Sequence, residues 1–152
     1  MSNYLFLQTL CALSVSLACF VAQPVLAVDD PNSTTAPDLT SVRAKIAAED
    51  YPAALEELRD LAEDNQQADV YNLMGFALRK TGDFETSLSY YTKALELEPE
   101  HKAAHEYLGE LYVETNDLAK ANEQLEILKS LCPSGCDELE DLQAVITAKA
   151  GN

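Results

Sequence analysis

Apolar side chains recur every three or four residues along most of the chain after residue 38, which is the spacing of one face of an α-helix. In the stretch 68–101 two such patterns flank a turn at 81–83, and Pro99 closes the stretch. The apolar positions are Tyr71, Met74, Gly75 and Leu78 before the turn and Leu88, Tyr91, Ala94 and Leu95 after it. The pattern predicts a series of short amphipathic helices joined by tight turns.

The stretch 68–101 has counterparts on both sides. Residues 49–55 align with residues 82–88 at an offset of 33. At an offset of 34, Gly75 matches Gly109, Leu78 matches Tyr112, Ser87 matches Ala121, Tyr91 matches Leu125 and Pro99 matches Pro133. Matches of this kind at a fixed offset indicate internal repeats.

The residue types at the matched positions have a physical reason. Gly75 and Gly109 fall where the two helices of a unit are expected to cross closely. Gly82 permits the left-handed backbone conformation between two helices, and Asn116 tolerates it. The first unit has Val42 at the close-contact position, which predicts looser packing of its helices.

The 34-residue unit resembles the tetratricopeptide repeat, which is a helix-turn-helix. The resemblance implies an all-α solenoid of three repeats, at about 38–67, 68–101 and 102–135, followed by a C-terminal capping helix at 137–150. A polar-backed helix of this kind covers the open apolar face of the last repeat. The first helices of such repeats line a concave groove, so the resemblance also implies a protein-interaction scaffold that binds a peptide or partner protein.

Projecting the family's groove positions onto this chain gives Arg43, Asn72, Phe76, Arg79, Lys80, Glu106, Glu110 and Glu114. Some relatives hold a peptide carboxylate with cations at several of these positions. Here the third repeat supplies glutamates instead, so that specificity is not carried over. The groove is predicted to be polarised, basic at Arg79 and Lys80 and acidic in the third repeat, with Phe76 as an aromatic anchor.

A polarised groove predicts a ligand with a basic stretch. The alternative is that these side chains are ordinary surface charges. The sequence has 10 Lys and Arg against 26 Asp and Glu, a net charge of -16. Such a surface repels nucleic-acid phosphates and anionic lipid head groups, which argues against nucleic-acid binding.

Residues 1–27 carry no charged side chain and are largely apolar, with Pro24 and then Val25-Leu26-Ala27 at the end. This pattern predicts a secretory signal peptide cleaved after Ala27, with no membrane insertion afterwards. A polar, flexible leader follows at 28–37. By resemblance to small exported tetratricopeptide proteins, the compartment is the periplasm. The alternatives are a retained membrane anchor, which would make the chain a tethered subunit of an envelope assembly, and a lipoprotein site at Cys19.

Cys132 and Cys136 remain after signal cleavage, in the sequence Cys-Pro-Ser-Gly-Cys. In an oxidising compartment they are predicted to form a structural disulfide. A redox-active or metal-binding pair is the alternative function. His101 and His105 lie one helical turn apart, a spacing that can bind a metal, although one surface and one half-buried histidine is the favoured interpretation.

Motifs for catalysis are absent from the sequence: there is no Gly-rich phosphate loop, nucleophile elbow, zinc-protease motif or calcium loop. The chain is therefore predicted to be a non-enzymatic scaffold that needs no cofactor. The sequence leaves the oligomeric state and the identity of the partner open.

Overall fold

A computed structural model describes residues 36–64 and 66–151. Within those residues it contains seven α-helices and no strand. They are α1 (Thr40–Ala47), α2 (Tyr51–Asp64), α3 (Ala68–Lys80), α4 (Phe84–Leu97), α5 (Lys102–Glu114), α6 (Leu118–Leu131) and α7 (Asp137–Ala150). The predicted signal peptide at 1–27 and the leader up to residue 35 lie outside the described residues.

Each helix packs on its neighbours in sequence, and α3–α5 and α5–α7 contacts connect successive units. This arrangement is the predicted all-α solenoid, with three helix-turn-helix units and a capping helix. Within the described residues, no helix has the length and apolar character needed to cross a bilayer.

The turn inside each unit contains one left-handed residue followed by an aspartate. Gly82 has φ 85° and Asn116 has φ 62°, which confirms the conformation predicted for both. Glu49, at φ 58°, occupies the same place in the first unit and was not predicted to do so. Asp83 and Asp117 then cap the second helix of their units by accepting a backbone N–H at 3.2 Å. The local sequence therefore sets where the chain reverses.

The close crossing predicted at Gly75 is present. The Ser87 hydroxyl donates a hydrogen bond of 2.7 Å to the Gly75 carbonyl, and the Tyr91 ring lies over the glycine. Gly109 differs, because its closest side-chain neighbour is Leu142 of α7 and not a residue of its own unit. The third unit thus uses its glycine to seat the capping helix.

Gly75→Ala should destabilise the fold by about 1–3 kcal/mol, because overpacking outweighs the better helix propensity of alanine. A Cβ at this position would lie 2.7 Å from two carbons of the fully buried Tyr91 ring. Urea unfolding followed by circular dichroism measures the loss. In a Tyr91→Leu background the same substitution should cost less, and an equal cost in both backgrounds would contradict steric overlap as the cause.

The first unit differs from the other two in the length of its first helix. α1 has eight residues, and Val42 is its buried residue. Val42 is fully buried in a cluster with Leu39, Leu55 and Leu58, so the looser packing predicted at this position is not observed. The weaker sequence pattern of this unit reflects a short helix and not an open core.

A disulfide between Cys132 and Cys136 connects α6 to α7, with the two Cα atoms 5.8 Å apart. Cys132 ends α6 and Cys136 begins α7. On α7, Leu142 and Ile146 pack against Leu128 of α6 and its neighbours. The disulfide therefore closes the turn before the helix that covers the last repeat.

Reducing this disulfide should lower the free energy of unfolding by roughly 2 kcal/mol, because the closed loop is short and constrains the unfolded chain only modestly. Urea unfolding with and without dithiothreitol measures the effect. The Cys132→Ser, Cys136→Ser double variant is the control and should not respond to the reductant. If the wild-type protein were equally stable with and without dithiothreitol, the disulfide would not stabilise the fold.

Candidate partner-binding groove

Side chains from α1, α3 and α5 meet around a cavity of about 220 Å³, which we call the groove pocket. It is lined by Arg43, Ile46, Ala47, Leu73, Phe76 and Tyr107. The volume is below the range of about 300–1,000 Å³ typical of small-molecule sites. Its size and apolar lining suit one side chain of a bound protein segment.

Aromatic rings hold the floor of the groove pocket in place. The Phe76 ring centroid lies 5.0 Å from that of Tyr107 and 6.5 Å from that of Tyr51. Tyr107 in turn lies 6.4 Å from the buried Tyr91. Tilted rings at these distances attract one another, so the pocket is formed before a ligand arrives.

Arg79 is not free to bind a ligand, so the prediction that it contributes to a basic end of the groove is wrong. The residue is only 3% exposed. Its guanidinium pairs with the carboxylates of Glu110 and Glu114, and its Nε lies 3.4 Å from the Tyr91 hydroxyl oxygen. Its Cζ also sits over the rings of Phe76 and Tyr107, at 5.4 and 5.9 Å. The charge is therefore used to connect the second and third units.

The exposed cations on this side of the molecule are placed differently. Lys80 is exposed, with its Nζ 5.3 Å from the Phe76 ring centroid. Arg43 is exposed at the rim of the groove pocket. Both exposed cations therefore lie close to Phe76.

Glu106 is the unusual acid of the groove. It is only 8% exposed. Burial, and after it the charges of Glu110, Asp141 and Glu138, raise its pKa to about 8 against the opposing charge of Arg79. At pH 7 the group therefore holds a proton. We call Glu106, Glu110, Glu138 and Asp141 the acid cluster.

The predicted acidic face is thus corrected as well. Glu110 and Glu114 are paired with Arg79, and Glu106 is neutral at pH 7. The acids whose charges raise the pKa of Glu106 include Glu138 and Asp141 of the capping helix, which the sequence did not assign to the groove. The groove is not polarised between its second and third repeats in the way that the sequence predicted.

Asn72 contributes an unpaired acceptor. The residue is 2% exposed, and its Oδ1 is buried without a hydrogen-bond partner. It occupies in α3 the repeat position that Glu106 occupies in α5, 34 residues later. A buried acceptor without a donor costs free energy, so this position lowers the stability of the fold.

The two histidines are structural and are both buried. The Nδ1 of His101 accepts from the backbone N–H of Ala104 at 3.2 Å, and its Nε2 lies 3.1 Å from Asp69 Oδ1. His105 Nδ1 lies 2.8 Å from Gln124 Oε1, and its Nε2 lies 2.9 Å from the Pro99 carbonyl oxygen. The prediction of one surface histidine is wrong, because both rings are enclosed between units.

Cys132, Cys136 and Glu138 bring potential ligand atoms within 4.8 Å of one another. The two sulfurs are bonded to each other in the disulfide, so this group can bind a metal only after reduction. Glu138, a member of the acid cluster, thus lies beside the disulfide.

Sequence reasoning missed Tyr107 and the two acids of α7. It also missed Leu73, which occupies the same repeat position 34 residues before Tyr107 and lines the same pocket. The two acids were missed because the contact between Leu142 and Gly109 decides which face of α7 points toward α5. That contact has no counterpart in the repeat pattern.

The fold and the groove define an array of helix-turn-helix repeats, and the family model of the tetratricopeptide repeat matches residues 68–101. The central unit of the solenoid is thus similar to a tetratricopeptide repeat, and the fold is of that type. Repeats of this class form non-catalytic scaffolds for protein–protein interaction.

Three curated proteins are similar to parts of the chain. The uncharacterised protein ycf37 of Guillardia theta is 36% identical over 73 residues, covering 47% of this chain and 41% of that protein. The Sol locus transcriptional repressor of Clostridium acetobutylicum is 41% identical over 54 residues, covering 36% and 17%. Human protein O-mannosyl-transferase TMTC3 is 32% identical over 70 residues, covering 46% and 8%. The chain spans less than half the length of each of these relatives.

Proposed function

We propose that this protein is an exported, non-catalytic scaffold that binds a peptide or a partner protein on the face formed by α1, α3 and α5. The observation that carries the proposal is the groove pocket, a preformed apolar cavity that three successive first helices share. An apolar side chain of the partner would enter it, and the exposed Arg43 and Lys80 would contact the polar groups on either side.

The acidic character of the molecule supports a partner with a basic stretch. The net charge is -16. Tyr107 lines the groove pocket, and its pKa is raised first by burial and then by the charges of Glu106 and Glu110. Complementary charge speeds association and selects among partners. Export is supported by the apolar, uncharged pattern of residues 1–27 in the sequence.

Selection of binders from a phage-displayed library of random 12-residue peptides tests this function. Peptides selected on the wild-type protein should bind Phe76→Ala at least about tenfold more weakly, because the aromatic floor of the pocket is lost. Leu97→Ala is the matched control, since Leu97 is an exposed apolar residue on α4, 42% accessible, outside the groove. Binders that are insensitive to Phe76→Ala, or a selection that yields none, would overturn the proposal.

The second candidate is a thiol or metal site, favoured by the position of Glu138 beside Cys132 and Cys136. It requires the reduced dithiol form. Equilibrium dialysis of the reduced protein with zinc, with and without Glu138→Gln, tests it. Zinc retention that is no greater than that of the Cys132→Ser, Cys136→Ser variant would exclude this function.

Export to the periplasm and cleavage after Ala27 are tested together by the intact mass of the protein recovered from the cell envelope. A species that begins at Val28 supports a cleaved signal. A species that begins at Met1 and stays in the membrane fraction would instead support the tethered envelope subunit.

A further inference from the structure

We infer that Arg79 is a positioning residue of the groove pocket, which holds the rings of Phe76 and Tyr107 at the separation that keeps the pocket open to a ligand. The inference rests on the proposed function and adds what controls the shape of the site. Phe76 and Tyr107 line the cavity, whereas Arg79 is not among the residues that line it. Arg79 therefore acts on a ligand through the two rings.

The guanidinium of Arg79 is fixed by groups from two other helices. Its side chain is 2% exposed, and it pairs with Glu110 and Glu114 of α5. Its Nε–H donates a hydrogen bond of 3.4 Å to the hydroxyl oxygen of Tyr91 on α4. A guanidinium that extends from α3 and is held at three points has little freedom to turn, so its charge has a defined place between α3 and α5.

That charge lies against both rings of the pocket floor. The Cζ of Arg79 is 5.4 Å from the Phe76 ring centroid and 5.9 Å from the Tyr107 ring centroid. Both distances are within the roughly 6 Å over which a cation attracts an aromatic face, and the attraction is stronger where water is excluded. Phe76 belongs to α3 and Tyr107 to α5, so the guanidinium attracts one ring from each helix to the same point.

The other neighbours of the two rings restrain them one at a time. The Tyr51 ring is 6.5 Å from that of Phe76, and the Tyr91 ring is 6.4 Å from that of Tyr107. Besides the 5.0 Å contact of the two rings with each other, Arg79 is the group that contacts both of them in the described part of the chain. The separation of the rings therefore depends on this arginine.

Loss of the guanidinium has a predictable effect on binding. Without it Phe76 and Tyr107 lose their shared support, and a ligand must order both rings as it enters the pocket. Ordering side chains at an interface opposes binding, and for two rings the expected loss of affinity is about tenfold. Glu110 and Glu114 act on the pocket in the same remote way, because they fix the guanidinium.

The test uses peptides selected on the wild-type protein from the random 12-residue library and shown to depend on Phe76. The triple variant Arg79→Met, Glu110→Gln, Glu114→Gln leaves no charge of this ion-pair group unpaired, and it should bind these peptides about tenfold more weakly. Arg79→Lys keeps the charge but lacks the planar fork that reaches both rings, and it should bind them at least about threefold more weakly. Titration calorimetry measures the affinities, and circular dichroism checks that each variant is folded.

A spectroscopic readout separates positioning from stability. The ring signals of Phe76 in aromatic NMR spectra should shift in both Arg79 variants, since the cation over the ring is removed or displaced. Leu128→Ala is the matched control, because Leu128 is fully buried in the cluster beneath α7, does not line the groove pocket, and its truncation lowers stability. It should leave the Phe76 signals unchanged and bind the peptides within about twofold of the wild type.

Three outcomes would contradict the inference. A folded triple variant or a folded Arg79→Lys protein that binds within about twofold of the wild type would overturn it and leave groove binding intact. If the triple variant does not fold, Arg79→Lys alone decides. An equal loss of affinity in Leu128→Ala would overturn it as well, because general instability would then explain the effect. Peptides insensitive to Phe76→Ala would overturn the proposed function, and this inference with it.

Discussion

Glu106→Gln should raise the free energy of unfolding at about pH 9 by roughly 3–5 kcal/mol and leave it nearly unchanged at about pH 4. Glutamine has the shape of the protonated acid and carries no charge at any pH. The substitution therefore keeps the neutral form of the site and removes the cost of ionising it in a buried, acidic environment.

The sign follows from where Glu106 binds its proton. In the unfolded chain its pKa is the ordinary 4.5, and in the fold it is about 8 because of burial and the acids on α5 and α7. Between these values the native state keeps a proton that the unfolded state releases. Stability contributed at this site therefore falls as the pH rises from 4.5 to about 8, and it is level outside that window.

Urea unfolding of the wild type and the variant at several pH values measures the effect, and the difference between them removes the titration of all other groups. Glu96→Gln should show no such pH-dependent difference, since that residue is exposed. A Glu106→Gln stability change that is the same at every pH would show that Glu106 titrates normally in the fold.

Arg79→Met should destabilise the protein by about 3–5 kcal/mol at pH 7, the usual range when one partner of a buried ion pair is removed. Burial alone lowers the pKa of the guanidinium, but Tyr91, Glu110 and Glu114 more than compensate, so the pKa lies above the ordinary value. Without it, Glu110 and Glu114 face one another and Glu106 with no cation between them. Methionine fills similar volume, so the loss reports on charge.

The triple variant Arg79→Met, Glu110→Gln, Glu114→Gln should recover much of the lost stability, because it removes the uncompensated charges as well. Lys80→Met is the matched control and should change the free energy of unfolding by less than about 1 kcal/mol, since Lys80 is exposed. Chemical unfolding of the four proteins measures all of these values. A triple variant as unstable as Arg79→Met would show that packing, and not charge, is what Arg79 supplies.

The helices and turns could be predicted because their causes are local. Gly82 and Asn116 adopt the left-handed conformation where the sequence placed it, and the apolar spacing of three and four residues gave the amphipathic faces. The offset of 34 then ordered the units. None of these features depends on knowing what lies across the groove.

The charge pattern of the groove could not be predicted, because it depends on pairs far apart in sequence. Arg79 reaches Glu110 and Glu114, which lie 31 and 35 residues away in the next unit. Whether such side chains face solvent or one another is decided by the spacing between α3 and α5. Partner binding stays a prediction for Arg43, Asn72, Phe76 and Lys80. The surroundings of Glu106 are now defined, so the part it plays in the groove can be tested.

The short first helix has a consequence for the kinetics of recognition. α1 packs mainly on α2 and has Val42 as its buried residue, yet it supplies Arg43, Ile46 and Ala47 to the wall of the groove pocket. A helix with so little buried area opens locally at low cost. The pocket is formed in the native state, but we expect its α1 side to open more readily than the rest, and a bound ligand to oppose that opening. Amide hydrogen exchange in α1, with and without a bound peptide, measures how far the ligand suppresses it.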